Sequence, residues 1–170
     1  TLQNLVEKIP VSRECIVLKF VKKAELSGDK WFFERALEFN EKLSNPARLP
    51  IKDIISSASS VVEKTGDVSL LMKTVPLLDT VAKTSEESFL PQYLMVADTL
   101  LKRGNLQNAV EIFARIGGPL ESANKVAMDT CVQILREGIF RDETELLKGK
   151  MLAPMDGETR DFVINRAVSD

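Results

Sequence analysis

The chain has 170 residues, 44% of them apolar, with 23 Lys+Arg against 25 Asp+Glu and a formal net charge of -2. That apolar share excludes a disordered segment, and no apolar run is long enough to span a membrane. The absence of histidine removes the usual general base, the commonest metal ligand and the Ser-His-Asp and Cys-His catalytic arrangements together.

Amphipathic periodicity predicts helices near 11–27, 29–43, 51–65, 67–83, 88–103, 105–116, 120–137 and 141–149, with a last one near 157–168. Loops fall at Ser44-Asn45-Pro46, at Gly117-Gly118-Pro119 and from Ala153 to Gly157. No segment alternates with the period of a strand. Pro76 lies inside the helix over 67–83 and is expected to kink or break it. Pro91 stands near the start of the helix over 88–103, where a missing N–H is tolerated. Trp31, Phe32, Phe33 and Phe39 read as core of the first helix pair. Trp31 and Phe32 cannot both share the face of Phe39, so one of them is expected at the surface.

Cys15 and Cys131 are far apart and have no CxxC partner, so no disulfide framework follows. Both are expected as small buried hydrophobes in a reducing compartment. The first residue is Thr1 rather than Met, which is read as an excised fragment of a longer protein.

Four glycines, Gly28, Gly66, Gly104 and Gly138, are spaced 38, 38 and 34 residues apart. Such spacing marks a helical solenoid, whose repeats run to roughly 30–45 residues. Four positions before each glycine stand Ala24, Val62, Leu100 and Ile134. Seven before stand Val21, Ser59, Ala97 and Cys131, and eleven before stand Val17, Ile55, Tyr93 and Ala127. These offsets fall on one face of a helix. Directly after the glycine come the helix-capping residues Asp29, Asp67 and Asn105, with Ile139 the exception. Each unit therefore reads as helix, left-handed glycine, cap, helix. The expected fold is all-α, an α-solenoid of antiparallel helix pairs. It forms a single array with units near 11–48, 49–86, 87–119 and 120–152 and a terminal helix.

The third unit carries Tyr93, then Lys102-Arg103-Gly104, then Ala109 and Phe113. This pattern resembles the pentatricopeptide repeat, with its early Tyr, its Lys-x-Gly turn, and Ala and Phe five and nine residues after the glycine. The Trp-Leu-Gly-Tyr pattern of the related tetratricopeptide repeat is absent. Around Gly28, Gly66 and Gly138 the Ala is replaced by Phe33, Leu71 and Glu143, and the units are slightly longer than usual for the family. Such uneven repeats resemble the animal mitochondrial members more than the regular plant arrays. The resemblance implies a mitochondrial RNA-binding protein acting on messenger stability or translation.

The resemblance also implies where bases would be read. The first specificity position falls nine residues before the glycine, at Lys19, Ser57, Met95 and Asp129. The second falls at Lys52, Leu90 and Asn124. Ser57 and Asn124 fit the family's preferences singly, and no unit has both. Met95 and Leu90 cannot hydrogen-bond a base edge.

Lys19, Lys22 and Lys23 cluster on one helix and Lys102-Arg103 close another, and Arg13, Lys19 and Lys23 could track a phosphate backbone. The favoured reading is that they are solvated faces paired with Glu14, Glu25 and Glu63, and both helix-end pairs also complement helix C-termini. The acidic groups Glu86-Glu87, Asp142-Glu143 and Glu145 read as helix N-terminal charge rather than catalytic pairs. Gly117-Gly118-Pro119 lacks a phosphate-loop pattern.

Two functions stay open: a segment that binds single-stranded RNA, and a protein-interaction scaffold whose groove takes a peptide or amphipathic helix. A structural spacer is the third reading. No enzyme, cofactor, metal or membrane contact is expected.

Overall fold

A computed structural model describes residues 13–41, 50–116 and 125–169. Among these residues all regular structure is helical and no strand occurs. The helices expected from periodicity all form, with ends shifted by a few residues where described. The loops expected at 44–46 and 117–119 lie outside the described residues. The chain divides into two compact units, 1–89 and 90–170.

The first unit holds α1 (Arg13–Ser27), α2 (Lys30–Glu41), α3 (Ile51–Thr65) and α4 (Val68–Thr84). α1 packs on α2 and on α3, and α3 packs on α4. The core takes Val17, Val21 and Ala24 from α1, and Phe33 and Ala36 from α2. Ile54, Ile55, Ala58 and Val62 come from α3, and Leu70, Leu71 and Leu78 from α4.

The two corners share one chemistry. Gly28 has φ 69° and Gly66 has φ 76°, a conformation that favours glycine. The Gly28 N–H donates to the Ala24 carbonyl at 2.8 Å, and the Gly66 N–H donates to Val62 at 2.7 Å. Asp29 and Asp67 then cap the following helices, accepting from the N–H groups of Trp31 at 2.9 Å and Ser69 at 3.1 Å.

Pro76 does not break α4, which runs unbroken from Val68 to Thr84. The proline is on the exposed side. Buried Leu71 and Val75 precede it and Leu78 and Val81 follow it, so one packed face holds both halves of the helix.

The second unit holds α5 (Leu90–Lys102), α6 (Leu106–Ala114), α7 (Lys125–Phe140), α8 (Thr144–Leu147) and α9 (Gly157–Val168). A π-helical turn, Lys148–Leu152, extends α8 beyond its expected end at 149. α5 packs on α6 and α7, and α7 packs on α8 and α9. One cluster joins Leu106, Val110 and Phe113 to Met128, Leu135, Leu147 and Val163.

The fourth corner is not at Gly138. That glycine lies inside α7, buried, with an ordinary negative φ. The left-handed residue is Asp142, at φ 58°. Left-handed residues therefore stand at 28, 66, 104 and 142, each 38 after the last. The hydrogen bonds repeat as well. Gly104 and Asn105 donate to Leu101 and Leu100, both at 2.9 Å. Asp142 and Glu143 donate to Ile139 and Gly138, at 3.1 and 2.8 Å. Gly138 is thus the counterpart of Ala24, Val62 and Leu100. It is glycine because a Cβ there would lie 2.3 Å from Cδ1 of Leu147.

Candidate functional site

In the second unit, α5 and α7 lie side by side and leave a groove of about 560 Å³ between them. Leu90, Pro91, Leu94 and Met95 line it from α5, and Val126, Thr130 and Gln133 line it from α7. Met95 is 41% and Val126 63% exposed, high values for large apolar side chains on packed helices. Asp98 and Asp129 also line the groove. Each carboxylate has an ion-pair partner: Lys102 lies 2.8 Å from Asp98, and Arg166 of α9 lies 3.1 Å from Asp129. Thr130 donates its hydroxyl to the Val126 carbonyl at 2.9 Å.

Three of the sequence candidates, Met95, Asp129 and Leu90, are brought together here. With the fourth corner at Asp142, however, the residue equivalent to Lys19, Ser57 and Met95 is Gln133 rather than Asp129. Gln133 also lines the groove. The signal for it was already present: the last spacing was 34 rather than 38, and Ile139 stood where a cap belongs.

The other candidates do not converge. Ser57 is fully buried, and its hydroxyl donates to the Val21 carbonyl at 2.8 Å, so it presents nothing to a base. Lys52 pairs with Glu87, and its ammonium lies 5.8 Å from the centre of the Phe89 ring. It borders a smaller cavity of about 350 Å³ in the first unit, together with Asp53, Thr84 and Glu87. Asn124 lies outside the described residues.

Lys19, Lys22 and Lys23 are exposed on α1. Beside them is a cluster that periodicity indicated only in part. The ring of Trp31 meets Phe32 edge-on at 5.1 Å, and Phe20 lies 6.4 and 6.3 Å from the two. The Lys23 ammonium stands 5.0 Å over Phe32, and the Arg35 guanidinium 5.6 Å over Trp31. Trp31 is 49% exposed, which makes it the aromatic that the first helix pair leaves at the surface.

The cysteines differ. Cys131 is buried, and desolvation pushes its thiol up to about 12. Cys15 is exposed, against the expectation of burial. Among the described residues no group of three or more His, Cys, Asp or Glu side chains could hold a metal ion. No described helix is long and apolar enough to cross a membrane. No family profile, no curated protein and no solved structure matches the chain.

Proposed function

We propose that the chain is a non-enzymatic binding module built as an α-solenoid of pentatricopeptide-like hairpins, and that its second unit holds a polypeptide segment in the α5–α7 groove. Contacts between successive hairpins inside each unit support the stacked arrangement. Ser57 bonds Val21, Lys30 pairs with Asp67 at 3.7 Å, Arg141 donates to the Gly104 carbonyl at 2.8 Å, and Lys150 pairs with Glu111 at 2.8 Å. Each of these joins residues 36 to 39 apart in sequence.

The lining of the groove carries the ligand class. A nucleic-acid strand needs a cationic trough with stacking surfaces. Here the surfaces are aliphatic or thioether, and the charged groups in the lining are carboxylates. Exposed Met95 and Val126 suit the apolar anchors of an amphipathic helix. Fluorescence anisotropy with labelled amphipathic peptides tests this. Binding should persist in high salt and weaken at least tenfold in Met95→Glu; salt-insensitive binding that ignores that change would refute the groove.

The exposed row Lys19, Lys22 and Lys23 supports a second reading, in which the chain contacts single-stranded RNA as part of a mitochondrial protein acting on messenger stability or translation. Under this reading a filter-binding titration retains RNA in low salt and loses it steeply as salt rises. No retention in low salt removes direct RNA contact for this segment.

A further inference from the structure

We propose that the α1–α2 face built from Phe20, Trp31 and Phe32, and rimmed by Lys19 and Lys23, is a docking surface for an acidic amphipathic helix of a partner protein. The 38-residue register identifies the face. Shifted by one repeat, Phe20, Lys23 and Phe32 become Ala58, Val61 and Leu70, all 0% exposed. Lys19 becomes Ser57, whose hydroxyl bonds the Val21 carbonyl of α1. α3 therefore turns this face onto the preceding hairpin. Two further repeats on, the equivalent of Phe20 is Ile134, again 0% exposed. On α1 and α2 the same face leaves Phe20 and Phe32 only partly buried and Lys19 and Lys23 exposed, beside half-exposed Trp31, whose equivalent Ser69 is exposed as well.

The charge on this face selects the occupant. Where α3 presents a serine and a valine to its neighbour, α1 presents two ammonium groups. A helix seated here must bring carboxylates to Lys19 and Lys23 and apolar side chains to the rings. Arg35 is held at 2.6 Å by Glu38, which leaves the lysines as the charges for the partner to answer. The rings do not form a stacking platform for bases. They meet edge-on or tilted, and Lys23 and Arg35 each stand over a ring. A partner helix can interleave with so uneven a surface, whereas a flat base cannot lie on it.

The proposal stands apart from the groove of the second unit and is read by a different probe. Trp31 is the sole tryptophan in the sequence, so its emission reports this face alone. The intact chain is titrated with a synthetic amphipathic helix that has a leucine face flanked by glutamates, and in parallel with oligouridine RNA. The expected result is a saturable blue shift with the peptide, at least tenfold weaker in Lys19→Glu/Lys23→Glu and retained in Lys23→Arg. Circular dichroism confirms that both variants stay helical. The absence of a shift, or equal binding by the charge-reversed variant, overturns the proposal. So does a larger response to RNA that the charge reversal abolishes. A concentration-dependent shift of the chain alone, with dimers in sedimentation, makes a second copy the occupant. A red shift on deleting residues 1–12 makes the chain's own start the occupant. Either result also overturns the proposal.

Discussion

Asp142 holds a backbone conformation that the three equivalent corners give to glycine. An L-residue there is strained by about 1–2 kcal/mol. Asp142→Gly should therefore raise stability by about 1 kcal/mol in urea unfolding. Gly138→Ala should do the reverse. Alanine ordinarily favours a helix interior, but here its methyl group meets the buried Leu147 side chain. Overpacking of this kind costs about 1–3 kcal/mol. The sizes of the two positions trade between repeats: Leu100 with Ala109 in the third, Gly138 with Leu147 in the fourth. Glycine spacing alone puts the fourth corner one helical turn early, because Gly138 answers the close approach of Leu147 and not a left-handed turn. The thiols give a second residue-scale prediction. At mildly alkaline pH a thiol reagent should label Cys15 in the native chain and Cys131 only on unfolding, because burial keeps the latter protonated.

At the scale of the element, corners were legible because capping is local. A left-handed glycine followed by Asp or Asn satisfies orphan backbone groups with atoms a few residues away. Asp67 shows this energetically. The Ser69 hydroxyl first, then its backbone N–H and Lys30, hold the Asp67 carboxyl below the usual carboxylate range, with desolvation opposing them. A pKa lowered by folding adds stability above the unfolded value of about 4, and that stability is lost as pH falls through the folded value. Asp67→Ala should cost about 1 kcal/mol at neutral pH. Its stability should also decline less steeply than that of the parent below about pH 4. Equal acid limbs in denaturant melts would remove Asp67 from the cap. Pro76 shows the limit of local reasoning. A proline breaks a helix held by its own hydrogen bonds, but not one held by buried Leu71, Val75 and Leu78.

Over the whole molecule, each of the two units packs its helices pairwise around a core of its own. Leu100 is 0% exposed, so Leu100→Asp buries an unpaired charge in the second unit. The loss should be on the order of 5 kcal/mol, enough to unfold residues 90–169 at room temperature. A melting curve close to that of the parent would place Leu100 at the surface. The resemblance rested on Tyr93, Ala109 and Phe113, and all three are buried. Those residues carry the packing of a repeat, and they name a shape more readily than a ligand.

On α2 only Phe33 of the four aromatics expected in the core is buried, but local pattern does set that the chain is helical, where three of its four corners fall and which stripe α1, α3, α5 and α7 bury. Those features depend on φ preference, capping and the 3.6-residue period, all of which act within a few residues. Long-range packing sets the rest: Ser57 is hidden while Met95 lines a groove, Asp142 rather than Gly138 turns the fourth corner, and Trp31 is left half-exposed. Each of these depends on a neighbour packed from elsewhere in the chain, and equivalent positions of different repeats meet different neighbours.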